Sequence, residues 1–126
     1  KMIQDYYKGN FFLAPPQLYE LSRLSNFTSL DDLEKFSSER QLKGTDRFQP
    51  FKYTFDDAIT FVLPGDLRYP KVPESIPLDY DPAIEGEIEQ DLKTGPLNRT
   101  VIVDGKAKVY CTIEPSRGHC RPLAFE

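Results

Sequence analysis

The only histidine of this chain, His119, stands beside one of its two cysteines, Cys120, in the stretch SRGHC. A thiol next to an imidazole is the pairing that nucleophilic catalysis uses, because the base draws off the proton the thiol must lose. Here the two residues are adjacent and nothing else in the sequence orients the ring, so a solvated tail explains the pair equally well. A lone histidine also excludes a histidine-rich metal site and a serine–histidine–aspartate set with alternative bases. The second concentration of reactive groups is acidic. In EGEIEQDLK, Glu85 and Glu89, and Glu87 and Asp91, stand at i,i+4, a spacing that can bring two carboxylates to one divalent cation. A solvated helix face produces the same pattern. LPGD at 63–66 is a glycine turn and not a phosphate loop. NFT at 26–28 and NRT at 98–100 fit the glycosylation triplet, which is common by chance. Residue types alone yield no catalytic set.

The elements that must position these groups change character near residue 45. Lys1–Lys8 reads as the end of a helix stopped by Gly9. Pro15 and Pro16 then open a helix, since their φ is preset and their missing N–H groups would be unpaired there anyway. Leu18, Leu21 and Leu24 recur at helical spacing with Tyr19 beside them, Glu20 and Arg23 fall on other faces, and Asn26 ends the helix. Thr28 or Ser29 caps the next helix, each followed three residues on by Asp31 or Asp32. Leu30, Leu33 and Phe36 are its expected inner face, and Gly44 its end.

Beyond residue 48 the apolar period becomes two. Phe51, Tyr53 and Phe55 alternate with polar residues, and Ile59, Phe61 and Leu63 repeat the pattern, so 50–55 and 59–63 are expected to pair as a hairpin stopped by Pro64-Gly65. Pro70, Pro73, Pro77 and Pro82 exclude a central strand or helix between them. Asp81-Pro82 starts a short acidic helix with Ile84, Ile88 and Leu92 on one side and Gly95 at its end. A second hairpin spans about 99–113 around Asp104-Gly105. A two-residue turn there sets Val103 opposite Lys106, and a three-residue turn sets Val101 and Val103 opposite Val109 and Ala107; the hydrophobic pattern favours the second. The expected fold class is α+β: two short N-terminal helices, then two β-hairpins and a proline-rich linker with a short acidic helix. Its segments are 1–45 and 46–126.

Composition bounds the function. A chain of 126 residues with 39% apolar and 13% aromatic content supports one modest core. A net charge of −4 offers no basic stripe for displacing counterions, which argues against nucleic acid as a partner. No apolar run approaches the roughly 18 residues of a membrane span, and no signal peptide is recognisable. The chain begins at Lys1, so an upstream presequence stays open. Cys111 and Cys120, without a cysteine-dense framework, read as free thiols in a reducing compartment.

Three quoted stretches carry a further signal. FFLAPPQLYELSRLSNFTSLDDLEKF, a strand pair ending in LPGD, and EGEIEQDLKTGPLNRTVIV follow one another in order. Together they resemble the C-terminal part of the coenzyme A diphosphatase-type Nudix hydrolases, nearest to the animal peroxisomal enzymes with a long insert before the Nudix box. The resemblance spans nearly the whole chain. It implies the end of a Nudix α/β/α sandwich plus a C-terminal extension. In that family magnesium or manganese, held by glutamates of an R-E-x-x-E-E helix, polarises a pyrophosphate and helps activate water. Coenzyme A or acyl-CoA then gives 3′,5′-ADP and a 4′-phosphopantetheine species. Gly86 with Glu87, Glu89 and Asp91 lacks the arginine and the glutamate spacing of that box. The resemblance therefore implies no catalytic residue and no metal ligand in this chain, with an upstream Nudix segment, in the same or another polypeptide, as its partner.

It also implies that FFLAPPQ is a loop returning toward the substrate cleft, with Pro15, Pro16 and Gln17 in contact with substrate; alternatively they only set the chain path and helix start. Arg23 could reach a phosphate, against solvent or a salt bridge with Glu20. Phe11, Phe12 and Leu13 are expected to pack on a Nudix sheet or to lie exposed. A peroxisomal setting follows from the resemblance, although LAFE at the end lacks the small-basic-leucine address, so mitochondrion and cytoplasm stay open. The alternative function is a non-catalytic Nudix-derived interaction module, or a subunit of a larger assembly.

Overall fold

A computed structural model describes residues 1–55, 58–77, 79 and 88–124 of the chain. They form two compact units, Lys1–Arg47 with Glu114–Glu126, and Phe48–Ile113. The class is α+β. Among the described residues no helix is long and apolar enough to cross a membrane.

The first unit holds α1 (Met2–Tyr7), α2 (Pro15–Leu24) and α3 (Leu30–Gln41). Helix α1 buries Ile3 and Tyr6 and ends in a paired-turn cap, with Gly9 N–H on Tyr6 O and Asn10 N–H on Asp5 O. Helix α2 starts at Pro15, as its two prolines require. Its buried stripe is Leu18, Tyr19, Ser22 and Arg23, while Leu21 is half-buried and Leu24 is 47% exposed. The expected Leu18–Leu21–Leu24 face is thus corrected by a rotation toward Ser22 and Arg23. The cause is the C-terminal segment, which lies along the second half of α2: Leu123 N–H donates to Ser22 O at 3.0 Å, and Asn26 Nδ2 to Arg121 O at 2.7 Å. Ser22 meets burial by donating to Leu18 O, at 2.7 Å.

Ser29 is the N-cap of α3, its Oγ accepting from Asp32 N–H at 3.1 Å, which selects it over Thr28. The expected inner face of α3 is not buried. Leu30 is 71% exposed, and Leu33 and Phe36 are only half-buried. Phe36 packs on Phe27, with ring centroids 4.9 Å apart, and on His119 at 5.9 Å.

The second unit is a four-stranded antiparallel meander in the order β1 (Phe51–Thr54), β2 (Ile59–Val62), β3 (Asn98–Val103), β4 (Lys106–Cys111), so the two expected hairpins join through β2 and β3. Phe55 and Ala58 exchange backbone hydrogen bonds, which fixes Tyr53 opposite Thr60 and Phe51 opposite Val62. Directly opposed residues share a sheet face, so Thr60 and Val62, not Ile59 and Phe61, join Phe51, Tyr53 and Phe55 inside. Tyr69 and Ile76 pack against this cluster. The β3–β4 turn is also corrected. Val103 pairs with Lys106, and Asp104 and Gly105 take φ of 49° and 73°. Two consecutive positive φ values make the mirror-image turn whose twist matches a hairpin, for which Asp-Gly is well suited. Turn chemistry outweighed valine matching. Helix α4 (Ile88–Thr94) leads into β3; its expected start at Asp81-Pro82, with Ile84, lies outside the described residues.

Candidate functional site

At the mouth of α2, Gln17 Oε1 accepts the Ala14 N–H at 3.0 Å, so the side chain closes the helix start. Pro16 and Gln17 are exposed and Pro15 is half-buried. Two prolines in the first turn remove two of the N–H groups that a helix start ordinarily offers an anion. This mouth is therefore a rigid surface with the Gln17 amide nitrogen as its side-chain donor, rather than a phosphate cradle. Phe12 beside it is 77% exposed and Phe11 40%, while Leu13 is buried.

The second half of α2 gathers the residues that the ends of the chain bring together. Arg23 is 3% exposed. It pairs with Glu20 at 3.1 Å, as one reading of the sequence held, and its guanidinium sits 4.6 Å over the Tyr19 ring. Burial on this helix was not expected for it, and it takes Arg23 away from any exposed phosphate. His119 and Cys120 lie against it instead of in a solvated tail: Cys120 Sγ donates to Arg23 O at 3.7 Å. His119 Nδ1 accepts the Cys120 N–H at 2.9 Å and lies 3.5 Å from Cys120 Sγ. Burial, reinforced by the charges of Arg23 and Arg40, lowers the His119 pKa to about 4, and burial raises that of the Cys120 thiol. A neutral imidazole beside a protonated thiol is the reverse of an activated nucleophile. The cysteine–histidine reading is thereby set aside.

The most elaborate polar constellation lies in the sheet unit, and sequence reasoning missed it. Asp66, from the LPGD turn, and Arg99, from LNR on β3, both have side chains 0% exposed. Arg99 Nε donates to Asp66 Oδ2 at 2.7 Å and Nη2 to Oδ1 at 2.5 Å. Its Nη1 donates to Asp91 Oδ2 of α4 at 2.8 Å. Arg68 closes the set by donating Nη2 to Asp91 Oδ1 at 2.8 Å and Nε to Oδ2. Asp66 also accepts the backbone N–H groups of Asn98 and Arg68, at 2.9 and 3.0 Å. Burial alone would push the Asp91 carboxyl up, but the hydrogen bonds from Arg68 and Arg99 hold it below the usual range. The available signal was the quoted resemblance itself. LPGD, the QDL of the acidic helix and LNR are separate in sequence and converge here.

This quartet bears on the metal question. Among the described residues no group of three or more His, Cys, Asp or Glu side chains could hold a metal ion. Asp91, one member of the Glu87/Asp91 pair, has its carboxylate taken by two guanidinium groups, and Glu85 and Glu87 lie outside the described residues. The described residues do not fit magnesium or manganese.

The chain is 35% identical over 126 residues to acyl-coenzyme A diphosphatase NUDT19 of Xenopus laevis, covering 98% of this chain and 33% of that protein. It is 36% identical over 128 residues to the protein of that name from Gallus gallus, covering 96% and 33%. To that of Homo sapiens it is 31% identical over 121 residues, covering 94% and 32%. The chain thus spans about a third of the length of the curated relatives it matches. No family model and no solved structure matches it. The resemblance read from the ordered stretches between Phe11 and Val103 is borne out by these alignments.

Proposed function

We propose that this chain is the C-terminal portion of a Nudix hydrolase that cleaves the pyrophosphate of coenzyme A or acyl-CoA to 3′,5′-ADP and the corresponding 4′-phosphopantetheine. The observation that carries the reading is the 35% identity over 98% of the chain to a protein named as an acyl-coenzyme A diphosphatase. In this reading residues 1–45 close the Nudix-like body and 46–126 extend it. The glutamates that bind magnesium or manganese lie upstream, and the upstream segment is this chain's partner. The exposure of Phe11 and Phe12 supports that arrangement, because paired exposed aromatics are a costly surface unless something covers them. Pro15, Pro16 and Gln17 then form the rigid loop that touches substrate, with the prolines reducing the ordering cost of binding. The setting is peroxisomal by resemblance.

The test is the identity of the products. The protein at its natural full length, given coenzyme A and manganese or magnesium, is expected to release 3′,5′-ADP and 4′-phosphopantetheine in equal amounts. Absence of cleavage, or cleavage at another bond, overturns the proposal.

A further inference from the structure

In the helical unit, two dipeptides far apart in sequence interlock: Lys43-Gly44 and Arg117-Gly118. The Arg117 guanidinium fills the space where a Gly44 side chain would be, with Nη1 3.3 Å from the position of a Cβ there. Reciprocally, the Lys43 ammonium lies 2.7 Å from the position of a Cβ on Gly118. Arg117 Nη1 donates to Lys43 O at 2.7 Å, tying the two turns together. Arg117 itself has φ 52° and ψ 33°, a left-handed conformation that a residue with a Cβ adopts at a cost. Asp46 holds it there by accepting from Arg117 Nε at 2.5 Å and from the Ser116 hydroxyl.

The arrangement brings cations together beyond what Asp46 offsets. Arg40, in the last turn of α3, accepts the Lys43 N–H on its carbonyl at 2.9 Å, and after the Ser116 and Arg117 hydrogen bonds its charge also lowers the Asp46 pKa. Lys43 is exposed, and its ammonium carries three hydrogen-bond donors. Arg117 spends two of its five donors on Asp46 and Lys43 O. Like charges are costly to hold together, and two glycines with one strained arginine hold these.

We propose that Arg40, Lys43 and Arg117 form an anion site for a phosphate dianion, the absence of side chains on Gly44 and Gly118 letting the Arg117 and Lys43 heads approach the backbone. A planar guanidinium fork beside a compact ammonium suits phosphate oxygens. The site does not depend on the hydrolase reading, since phosphate binding here is measured without metal or turnover.

The experiment is amide hydrogen exchange by mass spectrometry on the full-length protein, in millimolar inorganic phosphate against sodium chloride of equal ionic strength. Phosphate is expected to slow exchange across 42–46 and 115–119 by about fivefold, the factor that corresponds to one unit-charge contact near 4 Å in water. Lys43 is exposed, so Lys43→Gln keeps the fold, and it is expected to abolish most of the protection. Arg40→Gln is expected to weaken it. No slowing in the natural sequence, or equal slowing in Lys43→Gln, overturns the site.

Discussion

Asp66→Asn tests whether the quartet around the buried Asp66–Arg99 pair holds the sheet unit together. Asp66 receives four donors: Arg68 N–H and Arg99 Nη2 on Oδ1, and Asn98 N–H and Arg99 Nε on Oδ2. Asparagine keeps the shape but turns one oxygen into an NH₂ group. Whichever way the amide sits, two donors then face a donor. At about 1–3 kcal/mol for each buried group left unsatisfied, the loss is roughly 2–6 kcal/mol. Removing one member of a buried ion pair independently suggests about 3–5 kcal/mol. Against a typical stability of about 5–15 kcal/mol this is severe. The assay is urea unfolding followed by tyrosine fluorescence, since the chain has no tryptophan and Tyr53 and Tyr69 lie in the sheet core. With a slope of about 1–3 kcal/mol/M, the midpoint should fall by at least about 0.7 M. Adding Arg99→Met removes the stranded charge, so the double variant should lose less than the sum of the singles. A loss below about 1 kcal/mol for Asp66→Asn, or strict additivity, would refute the reasoning.

Two further outcomes are specific. Gln17→Ala in the full-length protein should raise KM for coenzyme A with kcat little changed, and Gln17→Glu, which keeps the acceptor for Ala14 N–H but loses the amide donor, should do the same. A normal KM in Gln17→Glu would reduce Gln17 to a helix cap. His119 is held neutral with a pKa near 4 against an ordinary 6.5, so between those values the unfolded chain binds the extra proton and stability rises with pH. The stabilisation is complete above pH 6.5 and is lost as pH falls toward 4. His119→Gln should flatten that stretch of a stability–pH curve, and an unchanged slope would contradict the assigned burial.

Much of the local structure was legible because it is written in neighbouring residues. Pro15-Pro16 starts α2, Thr28-Ser29 narrows the cap of α3 to two residues, and alternation marks β1. The errors on the helices have one physical origin: partners distant in sequence. Arg23 is buried because residues 119–123 return to it, and nothing within α2 announces that strap. Helix α3 has an apolar row, but the described unit gives Leu30 nothing to meet. The face of β2 was misread because the Phe55–Ala58 turn sets register, and a shift of one residue exchanges the two faces. Asp66 and Arg99 were hidden for a different reason. Composition assigns charges to the surface, and only mutual satisfaction lets both lie fully buried. For the candidate site, sequence nominated Pro15, Pro16 and Gln17 without anticipating the cap that Gln17 makes.

The most direct measurement is release of 4′-phosphopantetheine from coenzyme A, with magnesium or manganese, by residues 1–126 alone and by the protein at its natural full length. No turnover is expected from the first and clear turnover from the second, because octahedral magnesium needs several fixed oxygen ligands and the described residues supply no such group. Turnover by residues 1–126 that Glu85→Gln or Glu89→Gln abolishes would contradict it and return the catalytic centre to this chain.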